Sequence, residues 1–378
     1  VSDSFDFVVI GAGIAGASVA AELQREHKVL LAEMESRPGY HSTGRSAAVF
    51  AEAYGPAPIR ALTRASRKFY LDPPDGFASA PLLSERGGLF VANDEQVGRL
   101  DAYFDELSAE QPVERLNAEQ TRALCPLLRQ SYVAGGILDP SSMDIDVSAL
   151  HQGYLAAFRK RGGAIRTSSP VTGLSRSAGA WTVDLHGQRA EAATVINASG
   201  AWAGDIGRMA GAIDIGLVPK RRTALIVSAP PAVDPGRWPL TIDIDEAFYL
   251  KPDAGRLLVS PANEDPEPPC DIQPDEMDVA LCVDRIESAF DLQIRRIESK
   301  WAGLRSFVAD KSPVCGFDPQ ADGFFWLAGH GGYGIQSAPA LSRAAAALAC
   351  DLDIPDDILA LGLDPAAIKP ERLMPGQR

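Results

Sequence analysis

Long apolar runs are missing from this chain: none approaches the ~18 residues that a membrane-crossing helix needs. Positive charge is short as well. There are 36 Lys and Arg against 50 Asp and Glu, and the resulting formal charge of −14 sets the surface against nucleic acid phosphates and anionic lipid. Only five cysteines occur (Cys125, Cys270, Cys282, Cys315, Cys350), an odd number without CxxC or Cys/His spacing. Free thiols are therefore expected, with neither a disulfide framework nor a metal site. Internal repeats and low-complexity tracts are also missing. The start Val1-Ser2-Asp3-Ser4 has neither the basic nor the apolar region of a secretory signal, so a location in the cytoplasm, or peripheral to the inner membrane, is expected. With 46% hydrophobic residues over 378 positions, the composition is that of an ordinary globular protein with room for two cores.

The densest signal lies in the first 34 residues. An apolar run (Phe5, Phe7, Val8, Val9, Ile10) leads into Gly11-Ala12-Gly13-Ile14-Ala15-Gly16, then an alanine-rich helix, then Val29-Leu30-Leu31-Ala32-Glu33-Met34. Strand, glycine turn, helix and second strand form a complete dinucleotide-binding unit. Gly11 permits the turn, Gly13 lets backbone approach a pyrophosphate, and Gly16 lets the helix lie on the sheet. The first helical N–H groups, from Ile14 and Ala15 onward, face the phosphates, and Glu33 stands where a carboxylate accepts from a ribose.

Further along, Pro- and acid-rich stretches at residues 229–236 and 260–269 read as surface loops. A second α/β stretch runs over residues 164–211, with strands expected near 164–167, 171–174, 181–185 and 194–197, the last ending in Ala198-Ser199-Gly200-Ala201-Trp202. A third, Gly323-Phe324-Phe325-Trp326-Leu327-Ala328, runs into Gly329-His330-Gly331-Gly332-Tyr333-Gly334 and a helix with Pro339 near its start. This last glycine loop either packs without clash or presents backbone N–H groups to an electron-rich ligand. A single cofactor touched by both ends of the chain must be long, which favours FAD over NAD.

These residues, together with Gly39-Tyr40-His41-Ser42-Thr43-Gly44-Arg45-Ser46-Ala47-Ala48, resemble the D-amino acid oxidase/glycine oxidase superfamily of FAD-dependent oxidoreductases. Within it, Asp144-Ile145-Asp146, Pro219-Lys220-Arg221-Arg222, Phe248-Tyr249-Leu250-Lys251-Pro252 and Trp301-Ala302-Gly303-Leu304-Arg305-Ser306 look most like the bacterial FAD-dependent D-arginine dehydrogenases. The resemblance implies an α/β fold: a Rossmann-like FAD-binding domain of the D-amino acid oxidase type, and a substrate domain on a mixed, largely antiparallel β-sheet. The implied division is residues 1–80, 140–211 and 302–378 for FAD, and 81–139 and 212–301 for substrate. It places Ser42 to Ala48 beside the flavin and pyrophosphate and Val171 at the adenine. Gly200, Trp202 and Gly303 join the cofactor site, and Gly331, Gly332, Tyr333, Gly334, Ile335 and Gln336 contact the flavin's polar edge. Non-covalent attachment is expected, Cys315 reading as a small core residue.

At the substrate, the resemblance implies Arg222, Tyr249 and Arg305 on a carboxylate and Tyr54 on a closing loop. Arg305 interrupts an apolar strand and Arg222 precedes one, so each needs a buried anion, either that carboxylate or an internal Asp or Glu. The implied reaction is hydride transfer from the α-carbon of a D-amino acid to flavin N5, giving an imino acid and then a 2-oxo acid and ammonia; oxidation of a secondary amine or 2-hydroxy acid on the same arginines, or flavin binding without turnover, are the alternatives. The electron acceptor would be a quinone or oxygen. Where the arginine enzymes carry a pocket histidine and a guanidinium-pairing carboxylate, this chain has Val49 and Gly87 or Gly88. Losing one partner of a buried ion pair typically forfeits ~3–5 kcal/mol, so apolar, or a broad range of, D-amino acids are expected in preference to D-Arg, unless Glu52 or Glu85 supplies the charge. His330 and Gly332 complete the expected substrate contacts, though a histidine among glycines also suits a crowded turn.

Overall fold

The computed structural model describes residues 3–231 and 233–374. Its first sheet is organised by Asp3–Ile10, whose apolar run lies between Gln188–Asn197 and Val29–Ala32, parallel to both. Ala164–Arg166 extends it on one side and Phe324–Ala328 on the other, again parallel, while Val314–Phe317 closes the edge antiparallel. The hairpin of Val171–Ser177 and Ala180–Leu185 adds to the first half of Gln188–Asn197. A parallel sheet is covered on both faces, so its strands are apolar on both. Phe7, Val9, Leu31, Ile196, Phe325 and Leu327 face the core beneath Ile14–Leu23, Val147–Lys160 and Gly334–Ala349. Val8, Ile10, Leu30, Val195, Phe324 and Trp326 face the other, with Trp181, Val183 and Ile206.

Gly334–Ala349 contains Pro339 yet stays helical. Proline has no N–H to offer the carbonyl four residues back, here that of Ile335. The hydroxyl of buried Tyr70 donates to that oxygen at 2.6 Å, restoring the lost bond from a neighbouring helix, Ala57–Leu71. Tyr70→Phe should therefore lower stability by ~1–3 kcal/mol, the cost of an orphaned buried carbonyl, measurable by urea denaturation. An unchanged midpoint would mean that water or a shifted helix satisfies Ile335.

The second sheet has nine strands and is largely antiparallel, the parallel pair Leu240–Asp243 with Gly88–Ala92 making it mixed. Its longest pairing joins Val218–Ser228 to Ile297–Phe307, setting Lys220 opposite Arg305 and Arg222 opposite Gly303. Both long strands thus deliver cations to one face. The expected boundary at 301/302 falls inside Ile297–Phe307, all of which belongs to this sheet, because an eleven-residue ladder cannot be divided between two bodies. The segment expected at 81–139 is also shared: Leu83–Glu85 pairs with Met143–Ile145, which pairs with Val49–Phe50, in a small separate sheet.

Candidate active site

Between the two sheets lies a cavity of about 460 Å³. Gly11, Gly13, Ile14 and Ala15 line it where the first helix begins, with Glu33 and Met34 at the end of the second strand. Gly16 is not on the wall but beneath it, where an added Cβ would meet the Gly11 carbonyl oxygen at 1.8 Å. Several donors are already engaged. Ala12 N–H donates to Glu33 Oε2 at 2.8 Å, Glu35 N–H to Glu33 Oε1 at 2.9 Å, and Ile14 N–H to Thr43 Oγ1 at 3.0 Å. Glu33 is therefore fixed in place with lone pairs to spare, and the Thr43 hydroxyl, accepting from Ile14, keeps its proton for an anion in the cavity.

The segment at 39–48 forms one wall. Ser42 donates to the Leu304 carbonyl at 2.6 Å, and Arg45 donates to the carbonyls of Ile272 and Ala302 at 3.0 Å each and pairs with Asp271. Tyr40 donates to the same Asp271 at 3.2 Å, so the first sheet's loop is tied across the cavity to the second. Ser46 and Ala47 line the cavity; Gly44 and Ala48 do not. Gly44 closes a turn, its N–H on the Gly39 carbonyl at 2.8 Å, and the Ala48 carbonyl accepts from Ile145. Val171 stands on the wall with Ser169 and Pro170, and Gly200 and Trp202 with Ser199, Asp205 and Met209. Gly303 is there too, beside Leu304 and Arg305.

The C-terminal glycine loop supplies Gly331, Gly332, Gly334, Ile335 and His330. It packs so closely that a Cβ at Gly331, φ +54°, would come within 2.1 Å of Phe307, and one at Gly332 within 2.7 Å of Arg305 Nη1. Tyr333 and Gln336, expected beside the flavin, are not on this wall. Tyr333 faces a neighbouring cavity together with Tyr54, the two rings edge to face at 5.1 Å. Gln336 accepts from Ala51 N–H at 3.2 Å and donates to the Tyr54 carbonyl at 3.3 Å, so its side chain holds the Tyr54 loop.

Arg222, Tyr249 and Arg305 converge on the cavity. Their neighbour Arg221 shows what an internally satisfied arginine looks like: it pairs with Asp278 at 2.6 Å and with Glu267, on the opposite face of the strand. Arg222, 6% exposed, has among the described residues only Glu264 at 3.2 Å on Nη2, and its buried Nε has no partner there. Burial, and then the adjacent Arg305 charge, push its pKa down. The Arg305 side chain makes no hydrogen bond or ion pair with any described residue, and Tyr54, Tyr249 and Glu246 nearby favour its charge against burial. Two guanidinium groups this poorly partnered make a receptor for an anion, and a carboxylate suits their fork geometry. Tyr54, pushed up to about 12 by burial and by Glu246, keeps its proton and donates to Glu246 at 3.3 Å. It stands at the wall of the second cavity.

The His330 ring is lowered to about 4 by burial and has no hydrogen-bonding partner among the described residues. A histidine with a depressed folded-state pKa contributes stability that is whole above its ordinary value near 6.5 and is lost as pH falls towards about 4. His330→Gln should therefore blunt the loss of stability across that window, read from unfolding midpoints between pH 7 and 4. An identical acid dependence in the variant would show that His330 is solvated. Val49, Gly87 and Gly88 line neither cavity. Val49 is paired with Asp144, and Gly87 is consumed by strand exchange, its N–H on Ser142 and its carbonyl accepting from Leu240. Cys315 is buried in the sheet edge, away from the cavity wall.

Sequence reasoning missed Glu264 because its proline- and acid-rich stretch reads as a solvated loop, whereas Asp265–Pro266 pairs with Lys220 and Arg221. It also left out Tyr40, His41 and Trp301, although aromatic residues interleaved with the glycine and arginine motifs are a signal for a cofactor wall.

The cavity suits the FAD that the motifs imply. It runs without interruption from a helix N-terminus with a ribose-ready carboxylate, past the Thr43 hydroxyl, to a glycine loop that opens a second helix. The comparisons agree. A model of the family described as "DAO: FAD dependent oxidoreductase" matches residues 6–348. The glycine oxidase of Bacillus licheniformis is 24% identical over 343 residues, 89% of this chain and 90% of that protein. Mouse mitochondrial dimethylglycine dehydrogenase is 30% identical over 149 residues, 39% of this chain; the match spans only 17% of that longer protein, and 31% of its rat counterpart. Among solved structures, glycine oxidase from Geobacillus kaustophilus aligns with a TM-score of 0.82 at 22% identity, covering 96% of this chain and 99% of that one. L-proline dehydrogenase from P. horikoshii aligns at 0.81 and 21%, covering 98% of each.

Proposed function

The chain belongs to the DAO family of FAD-dependent oxidoreductases, and from that premise we propose that it oxidatively deaminates α-amino acids, D-amino acids with apolar side chains above all. The observation that carries this reading is the pair of under-partnered guanidiniums, Arg222 and Arg305, facing the cofactor cavity beside Tyr249. They would clamp the substrate carboxylate bidentately, and the Tyr249 hydroxyl would add a third fixed point, so that the α-carbon is held in one orientation. Bound FAD supplies the acceptor for the hydride that leaves the α-carbon. The amine must first be neutral, so that its lone pair can form the C=N bond of the imino acid; water then releases ammonia and the 2-oxo acid. No side chain is needed as a strong base on carbon. The D configuration, and a closer kinship with the D-arginine dehydrogenases, rest on the motif resemblance.

The apolar preference now rests on different residues. Val49, Gly87 and Gly88 are elsewhere, but Ala47 and Trp301 pack with Tyr249 and Ala224 beside the arginines. The acids on the cavity wall are Glu33 and Asp205, and Glu264, beside the arginines, is already paired with Arg222, Lys220 and Lys311. We place the domain boundary after residue 307, with the remaining division as the motifs imply. A second reading, oxidation of an N-methylated amino acid, is supported by the dimethylglycine and sarcosine dehydrogenases among the relatives. Anaerobic mixing with D- and L-amino acids, N-methyl amino acids and 2-hydroxy acids separates these readings by which class bleaches the flavin absorbance. Bleaching by N-methyl compounds alone would select the second, and no bleaching by any would point to a binding protein without turnover. Repeating the reaction with oxygen and with a quinone identifies the acceptor. For an amino acid, kcat/KM should rise with pH to a plateau as the amine loses its proton. A flat profile over that range would contradict the requirement for a neutral amine.

A further inference from the structure

Arg222 does not orient itself. Its Nη2 lies 3.2 Å from Glu264 Oε1, the one carboxylate it touches among the described residues, while Glu264 Oε2 accepts from Lys220 Nζ at 3.0 Å and Lys311 Nζ at 3.3 Å. Both ammonium groups also sit over the Phe307 ring, 5.4 and 5.3 Å from its centroid. Phe307 in turn packs against Gly331 of the cofactor loop. Burial would raise the Glu264 pKa, but the Lys220 hydrogen bond and the charges of Lys311 and Arg222 outweigh it and the carboxyl is held low. Glu264 is thus an ionised bracket gripped on its outer oxygen by two lysines, with its inner oxygen on the guanidinium.

We propose that Glu264 is a positioning residue: braced by Lys220 and Lys311, it fixes the guanidinium plane of Arg222 so that its remaining edge meets the substrate carboxylate. This rests on the carboxylate-clamp reading above. The opposing possibility has the opposite sign. If Glu264 acted only through its charge, removing a negative group beside an anion site would tighten anion binding, because like charges repel. Loss of a bracket weakens binding instead, since Arg222 would be free to turn towards solvent or retreat from Arg305.

The test uses FAD-loaded protein and benzoate, a carboxylate with no amine to oxidise, titrated by its perturbation of the flavin spectrum. Glu264→Ala should weaken benzoate by about tenfold, a typical effect for losing the group that holds a charged hydrogen-bond donor. Glu264→Asp retains the charge but is one methylene too short to reach both sides, and should stay weakened. In an Arg222→Ala background, Glu264→Ala should add no more than about twofold, because the two residues act as one unit. FAD content is expected to be unchanged in every variant, which separates positioning from a general structural role. Benzoate binding that is tightened or unchanged by Glu264→Ala, or weakened equally with and without Arg222, would overturn the assignment while leaving the clamp intact. Benzoate binding unaffected by Arg222→Ala itself would overturn both.

Discussion

Arg305→Ala should lower kcat/KM for the best amino acid by about a hundredfold to a thousandfold while leaving the unfolding midpoint nearly unchanged. The two halves of that result have one cause. The Arg305 side chain projects from among apolar residues of Ile297–Phe307 without a hydrogen bond or ion pair to any described residue, and Arg222 stands close enough to repel it. Burial disfavours the Arg305 charge, but Tyr54, Tyr249 and Glu246 around it more than offset that, so the free protein tolerates the cation without a direct partner and should lose little by its removal. The substrate carboxylate is the missing partner, and breaking such a pair by deleting one side typically costs ~3–5 kcal/mol. A structural arginine behaves in the opposite way: Arg221→Ala, which strips Asp278 and Glu267 of their cation, should destabilise the fold. Stability that falls with Arg305→Ala while activity is spared would assign Arg305 to the fold.

Gly16→Ala should give a protein that purifies with less than about a tenth of its normal FAD, or that does not fold. One methyl group suffices because an added Cβ would lie 1.8 Å from the Gly11 carbonyl oxygen and 3.3 Å from Val9 Cγ1. The oxygen is backbone and cannot swing aside, so the helix Ile14–Leu23 must move off the sheet. That movement breaks the Ile14–Thr43 bond and carries the helix N-terminus away from the cavity wall. The contrasting substitution is Gly204→Ala, where an added Cβ has only an arginine tip within 4 Å, and which should keep its flavin. The flavin-to-protein absorbance ratio of the two variants decides the matter; full FAD content in Gly16→Ala would show that the helix does not need its close approach.

The N-terminal unit was legible because each part of it obeys a local rule: an apolar strand, a glycine turn, a helix of small residues, a second strand, an acid. The same holds for Phe324–Ala328 and the glycine loop after it. The second sheet was far less legible. Its strands pair across long distances, Val218–Ser228 with Ile297–Phe307, and nothing local says where such a ladder stops, so the 301/302 boundary cut through a strand. Glu264 shows the same limit at the site, since its meaning comes from Lys220, Arg222 and Lys311, all distant in sequence. Val49, Gly87 and Gly88 show the converse. Their positions were inferred by counting along aligned motifs, but the chain spends these residues on strand pairing and a turn.

The most direct test compares an amino acid with the amine left by removing its carboxylate, each mixed anaerobically with the FAD-loaded enzyme. With Arg222 and Arg305 serving as the substrate's anchor, the amino acid should bleach the flavin at least about a hundredfold faster at equal, subsaturating concentration. Equal rates for the two compounds would mean that the arginine pair does not hold the substrate, and the account of this site would fail.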